Sequence, residues 1–160
     1  MQVGKIPLNG TIFPKPGGLL SWITTSAGRS IRLFCMGKMI CSGMLDRCQN
    51  ITWLVSHMGG PIHTLLARID RARHQSSAKK SPAEYLKSFY YDTAGPSHPG
   101  AVMGAVYTVG IDHILFGTDL PFGEDGDYVE IALNCVEGAD LSLEQKDLIY
   151  RGNASRIFKL

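Results

Sequence analysis

The sequence predicts an α/β domain built around a parallel sheet, and three observations support this. The chain has 160 residues, of which 44% are hydrophobic and 19% charged, as is typical of one globular domain. Three apolar runs, at residues 51–57, 89–92 and 114–119, have the β-branched and aromatic content of buried strands. Helical patterns alternate with these runs, which indicates βαβ units. The length is below the roughly 250 residues of a complete eight-stranded β/α barrel.

The N-terminal segment, residues 1–30, is predicted to be irregular. It is rich in proline and glycine and has no sustained hydrophobic period. From about residue 29 to 47, apolar residues recur at i+3 and i+4 spacing and predict the first helix, which Gly37 and Gly43 weaken. We therefore expect an irregular segment at 1–30 and a folded domain at 31–160.

The first strand, at 51–57, is a nearly continuous apolar run that ends in the polar residue His57. A pair of glycines, Gly59 and Gly60, follows it and lets the backbone approach a ligand closely. Beyond Pro61, apolar residues at helical spacing predict an amphipathic helix with arginines on its polar face. A polar loop follows at 76–80.

Capping signals predict where two later helices begin. Ser81 precedes a proline, and Glu84 lies three residues after it, which is the capping-box pattern. Ser142 and Gln145 repeat this pattern at the start of a helix over 142–150.

The remaining elements complete the alternation of strands and helices. The second strand, Phe89–Asp92, precedes a helix that begins at Pro99 with His98 as its cap. The third strand, at 114–119, precedes a helix over about 128–135. Three strands connected in this way predict a parallel sheet.

His57, Asp92 and Asp119 each end one of the three strands. The carboxyl ends of parallel strands are where loops and helix N-termini converge on a site. An imidazole there can serve as acid, base or metal ligand, so His57 is the first candidate, with a structural histidine as the alternative.

The other candidate roles follow from side-chain chemistry. Asp119 is predicted to bind a metal or hold a water, with an N-cap or turn residue as the alternative. For Asp92, the neighbouring Thr93 and Gly95 favour a turn-stabilising role. Arg68 is the candidate to bind a substrate carboxylate, although its position favours an exposed charge on a helix.

The charge pattern argues against nucleic acid as a partner. Twelve of the sixteen Lys and Arg lie between residues 5 and 87, and ten of the fourteen Asp and Glu lie between residues 112 and 147. Asp70 and Glu84 interrupt the basic cluster, and no stacking aromatics are interleaved in it. A solvated helix and loop explains this cluster better.

The sequence also predicts a cytoplasmic protein without a membrane partner. It contains no run of about 20 apolar residues and no long apolar stretch near its first residue. The four cysteines match neither a C-x-x-C pair nor a zinc-finger spacing, so we expect free thiols.

An ordered set of motifs resembles the amidohydrolase-related superfamily. The similarity is strongest to its decarboxylase branch, the 2-amino-3-carboxymuconate-6-semialdehyde decarboxylase-like enzymes, which include decarboxylases of salicylate-type acids. It extends from about Gly37 to the C-terminus. The motifs that carry it are Leu45-Asp-Arg47, Trp53-Leu-Val-Ser-His57-Met-Gly-Gly60, Ala67-Arg-Ile-Asp-Arg71, Phe89-Tyr-Tyr-Asp-Thr-Ala94, Ile114-Leu-Phe-Gly-Thr-Asp119-Leu-Pro-Phe122 and Tyr150-Arg-Gly-Asn-Ala-Ser-Arg-Ile-Phe158.

The resemblance implies a metal-dependent (β/α)8 TIM barrel, of which this chain would supply roughly the last three βα units, the C-terminal portion. It implies that His57 is the catalytic acid or base and that Asp119 binds a divalent metal, usually zinc or manganese. The implied reaction releases carbon dioxide from a small aromatic or dienoic carboxylic acid. The open alternatives are a metal-dependent hydrolase and a non-catalytic partial barrel.

The chain departs from the family pattern in its histidines. The family's other metal ligands are a His-x-His pair on the first barrel strand and a histidine on a middle strand, whereas the first 56 residues here contain no histidine. A catalytic zinc site usually has three protein ligands. We therefore expect an incomplete metal site, weak metal binding and little activity. The partial barrel would leave two open sheet edges, and in the non-catalytic alternative these edges pair with another chain or with a second copy in a homo-oligomer.

Overall fold

A parallel three-stranded sheet forms the centre of the fold. The computed structural model describes residues 18–71, 76–95, 98–121 and 128–160, with side chains from residue 30 onward. The strands are β1 (Trp53–Val55), β2 (Phe89–Asp92) and β3 (Ile114–Leu115), in the order β1-β2-β3. Trp53 pairs with Phe89, and Tyr91 pairs with Ile114. The predicted parallel pairing and its alternation with helices are confirmed.

Eight α-helices surround the sheet in the part of the chain that the structure describes. They are α1 (Gly18–Cys41), α2 (Met44–Arg47), α3 (Ile62–Arg71), α4 (Pro82–Leu86), α5 (Pro99–Val109), α6 (Tyr128–Glu137), α7 (Leu143–Asp147) and α8 (Asn153–Phe158). Short 3₁₀ turns lie at His57–Gly59 and Ile111–His113, and a π-type turn joins α7 to α8 at Leu148–Gly152. None of these helices is long and apolar enough to cross a membrane.

The first helix is longer than predicted. It begins at Gly18, so the prediction of irregular structure over 1–30 is wrong for residues 18–30, while residues 1–17 lie outside the described residues. No proline occurs within this helix, and its two internal glycines, Gly28 and Gly37, cost only about 1 kcal/mol each relative to alanine, which does not end a helix. The predicted helix at 29–47 is instead divided near Gly43, whose φ of 67° is left-handed.

Two strands are shorter than predicted for local reasons. β1 ends at Val55, because His57 has a φ of 53° and left-handed backbone cannot continue a strand. β3 ends at Leu115, because the Phe116 amide donates to the Ile149 carbonyl at 2.9 Å and leaves the sheet. The predicted burial of β1 is also wrong in part, since Leu54 is 49% exposed.

The core lies between one face of the sheet and the helices. Phe89 and Tyr91 point into it from the central strand, where both are fully buried. Ile40 of α1 and Val102 of α5 are fully buried in the same cluster. The residues that alternate with them on β2 are only half-buried, so the helices cover one face of the sheet more fully than the other.

The predicted caps are confirmed. Ser81 forms its capping box with Glu84, and Ser142 forms the second one with Gln145. The His98 side chain accepts a hydrogen bond from the Gly100 amide at 3.1 Å and caps α5. These contacts fix where α4, α5 and α7 begin. The four cysteines are free thiols, as predicted.

Candidate active site

His57 and Asp119 meet at the carboxyl ends of β1 and β3. The His57 Nε2 atom lies 3.8 Å from the Asp119 Oδ2 atom. The two side chains are 18% and 28% exposed, so a small molecule in solvent can reach both. At this distance the contact is an ion pair when the imidazole is protonated and is longer than a hydrogen bond. The structure therefore brings together two of the residues predicted from the sequence.

A backbone carbonyl fixes the orientation of the His57 ring. The Nδ1 atom lies 2.8 Å from the Ala94 carbonyl oxygen, in the loop after β2. Because a carbonyl only accepts, Nδ1 must carry hydrogen and donate it. Nε2 is then the nitrogen left for chemistry, on the side of the ring that faces Asp119.

The backbone at the site is strained. His57 and Met58 have φ angles of 53° and 54°, and Asp119 has a φ of 69°. Left-handed backbone is unfavourable for residues with a side chain, at roughly 1–3 kcal/mol each, and persists where surrounding contacts hold it. Gly59 and Gly60 continue the left-handed run without this cost. Such strain clusters at functional sites.

Asp92 lies at the end of the middle strand and binds both neighbouring loops. Its Oδ1 atom accepts from the His57 amide at 2.7 Å and from the Ala94 amide at 3.1 Å. The second bond is the predicted turn-stabilising contact, whereas the bond to His57 was not foreseen. Burial raises the pKa of the Asp92 carboxyl, and the two amide hydrogen bonds oppose that rise.

Two residues of the site were missed at the level of sequence. Gly95, with a φ of 75°, passes so close to the ring that a Cβ there would lie 2.7 Å from His57 Nδ1 and 3.6 Å from Asp119 Oδ2. Ala94 supplies the carbonyl that orients the ring. The signal in the sequence is a glycine three residues after the strand-ending Asp92, which by itself indicates only a turn.

Arg68 does not join this cluster. It is exposed near the end of α3 and lines a groove against α1 together with apolar side chains that include Leu33 and Phe34. The alternative stated for it, an exposed charge on a helix, describes its position. Binding of a substrate carboxylate by Arg68 stays a prediction that its placement does not favour.

The residues at the site do not form a complete metal centre. Among the described residues, no group of three or more His, Cys, Asp or Glu side chains is arranged to hold a metal ion. Asp119 and His57 offer two donors, whereas a catalytic zinc site usually has three protein ligands.

The fold and the site together define an α/β protein whose histidine and carboxylates converge at the carboxyl end of a parallel sheet. A family model described as amidohydrolase matches residues 19–160. The chain therefore belongs to the amidohydrolase family, and the predicted membership is confirmed.

The relatives that the chain matches include aromatic acid decarboxylases. Gamma-resorcylate decarboxylase of Polaromonas sp. strain JS666 is 28% identical over 130 residues, which cover 77% of this chain and 39% of the relative. A crystal structure of 2,6-dihydroxybenzoate decarboxylase complexed with 2,6-dihydroxybenzoate has a TM-score of 0.70 and 27% identity, over 80% of this chain and 40% of that one.

A third match carries a metal. The crystal structure of a dihydroxybenzoic acid decarboxylase from Polaromonas sp. JS666, with bound manganese and the inhibitor 2-nitroresorcinol, has a TM-score of 0.68 and 25% identity. The match covers 92% of this chain and 47% of that structure. The chain spans about two fifths of the length of the curated relatives it matches.

Proposed function

We propose that this chain carries the acid–base part of a decarboxylase for small aromatic carboxylic acids such as 2,6-dihydroxybenzoate. The observation that carries the proposal is the His57 ring, anchored through Nδ1 to Ala94 with Nε2 facing the Asp119 carboxylate. The named activities of the relatives supply the substrate class. On this proposal the fold is the last three βα units of a (β/α)8 barrel.

His57 acts as the proton donor in this proposal. A protonated Nε2 transfers its proton to the aromatic carbon of the substrate that bears the carboxylate. The bond between that carbon and the carboxylate carbon then breaks, and its electron pair returns to the aromatic ring. Carbon dioxide leaves, and water returns a proton to the neutral imidazole. The Asp119 carboxylate lies 3.8 Å from Nε2, within ion-pair distance of the imidazole that carries the proton.

A divalent metal is the proposed cofactor, with Asp119 as its ligand and zinc or manganese as the ion. Bound manganese in a related decarboxylase supports the class of ion. Because the described residues supply fewer than three donors, we expect weak binding by this chain. Elemental analysis after gel filtration tests this, and tight binding of one metal ion per chain would overturn the claim that the site is incomplete.

The activity is tested by carbon dioxide release from 2,6-dihydroxybenzoate, with and without excess manganese or zinc. We expect slow release that requires added metal. The variants are His57→Asn and Asp119→Asn, and the matched control is His98→Asn, which removes an exposed cap imidazole while asparagine still caps α5.

The expected result is that His57→Asn and Asp119→Asn abolish release while His98→Asn retains it. Release that persists in His57→Asn would refute the role given to this residue. No release from wild type at any metal concentration would refute the activity for this chain. Cleavage of esters or lactones without carbon dioxide release would favour the hydrolase alternative over a decarboxylase.

The less covered face of the sheet supports a second candidate, a partial barrel that associates with a copy of itself. Leu54 is 49% exposed in the middle of β1, and Phe158 is 57% exposed beside the same recess. In the described sheet, β1 and β3 each have one strand neighbour. Open edges and exposed apolar faces favour association.

Light scattering during gel filtration tests this candidate. A dimer that Leu54→Lys converts to a monomer supports association through this face. A wild-type monomer at high concentration contradicts it. The cytoplasmic location and the absence of a nucleic-acid partner remain predictions from the sequence.

A further inference from the structure

The Asp92 carboxylate connects the two loops that hold the His57 ring. Its Oδ1 atom accepts from the backbone amide of His57 at 2.7 Å and from that of Ala94 at 3.1 Å. Ala94 in turn accepts from the ring through its carbonyl oxygen at 2.8 Å. One carboxylate oxygen therefore binds both the backbone amide of His57 and the backbone amide of Ala94, the residue whose carbonyl orients the imidazole.

This arrangement holds a conformation that the chain does not favour by itself. His57 and Met58 are both left-handed, and residues with a side chain seldom adopt this conformation without surrounding contacts that hold it. Hydrogen bonds from amides to a carboxylate are stronger than those to a neutral acceptor. Asp92 ends the central strand, which pairs with β1 on one side and β3 on the other, so it is a fixed point to which both loops bind.

We propose that Asp92 is a positioning residue that holds the His57 imidazole in its Nδ1–H tautomer, with Nε2 directed toward the substrate side. The proposal rests on the proposed function for the reaction that the ring would serve. The bonding between Asp92, His57 and Ala94 stands without it. Asp92 touches no substrate in this scheme and acts through His57.

The test is ring-nitrogen NMR of the ¹⁵N-labelled full chain, at a pH where the imidazole is neutral. Correlations between ring nitrogens and carbon-bound protons distinguish the two tautomers, and His57→Gln identifies the signals. The variants are Asp92→Ala, which removes the acceptor, and Asp92→Asn, which keeps one oxygen for the amides. Thr93→Val is the control, because Thr93 lies in the same loop as Ala94 and the substitution removes two hydrogen bonds to Gly117 but none to His57.

We expect wild type to hold the Nδ1–H tautomer and Asp92→Ala to raise the share of the Nε2–H tautomer at least about tenfold, the effect of losing charge-assisted hydrogen bonds. Asp92→Asn should restore the wild-type signals, and Thr93→Val should leave them unchanged. If Asp92→Ala does not fold, Asp92→Ser takes its place in this comparison, because the serine hydroxyl is too short to bridge both amides.

Unchanged tautomer signals in Asp92→Ala would overturn the proposal, as would an equal change in Thr93→Val, since the effect would then be general loosening of the loop. This reading does not depend on turnover. If the chain releases no carbon dioxide but Asp92→Ala shifts the tautomer, the proposed function fails and the positioning role stands.

Discussion

His63 is expected to make the folded chain less stable in acid. Its ring packs edge-on against Tyr91, with ring centroids 4.9 Å apart. Both ring nitrogens are buried, and neither has a hydrogen-bond partner of normal geometry among the described residues. Burial lowers the pKa of His63 from 6.5 to about 4, and the backbone of Met58 opposes this only in part.

The sign and size of the effect follow from these pKa values. Because the folded pKa is lowered, only the unfolded chain takes up a proton as the pH falls below about 6.5. The contribution of His63 to the free energy of unfolding is therefore highest above about pH 6.5 and decreases until about pH 4. The His63 contribution to this loss is about 2 kcal/mol at about pH 5 and about 3 kcal/mol at about pH 4.

Urea unfolding of wild type and His63→Phe tests this reasoning. Phenylalanine keeps the contact with Tyr91 and cannot titrate. When the pH is lowered from about 7.5 to about 5, we expect the free energy of unfolding of His63→Phe to rise by about 2 kcal/mol relative to that of wild type. Gly104→Ala, which changes no titratable group and has open space around the new Cβ, should follow the wild-type profile. The account would be refuted if the difference in free energy of unfolding between His63→Phe and wild type stayed constant within about 0.5 kcal/mol across this pH range.

Three further contacts are tested by substitution, each through urea unfolding. Gly95→Ala should lower the free energy of unfolding by about 2 kcal/mol and displace the His57 ring, because the φ of Gly95 is 75° and the new Cβ would lie 2.7 Å from Nδ1. Gly104→Ala is the control and should lose no stability, because the space around its new Cβ is open. Equal stability of the two glycine variants would contradict this. Ser81→Ala should cost about 1 kcal/mol through loss of the capping box, and no loss would show that the cap is dispensable. Asn153→Ala should cost about 2–4 kcal/mol, because its buried amide donates to two backbone carbonyls, and a loss under about 1 kcal/mol would argue against those bonds.

Local signals predicted the elements whose ends are set by local contacts. The box of Ser81 with Glu84 and the limits of β2 at Phe89 and Asp92 agree with the sequence. The start of α1 was not predictable in this way, because glycine and proline lower helix propensity without deciding the outcome. β3 was predicted too long, since the Phe116 amide finds its acceptor in Ile149, which is distant in sequence.

The same distinction between local and distant contacts applies to the residues of the site. The convergence of His57 and Asp119 follows from their positions at strand ends, which sequence pattern reveals. The hydrogen bond from the His57 amide to Asp92 joins residues 35 positions apart, and no local pattern encodes it. For the same reason, the sequence could identify Gly95 as a turn residue but not as the neighbour of an imidazole.

The strain at His57 connects the fold to the chemistry proposed for it. Two consecutive left-handed residues with side chains cost roughly 2–6 kcal/mol together, a large part of the stability of a small domain. Such a conformation persists only where other contacts favour it, and the bonds from His57 to Asp92 and to Ala94 are the contacts that do so here. If they are weakened, the backbone relaxes and Nε2 turns away from Asp119. The geometry needed for proton transfer is therefore less robust than the fold, and substitutions at Asp92 should affect ring position before they affect the sheet.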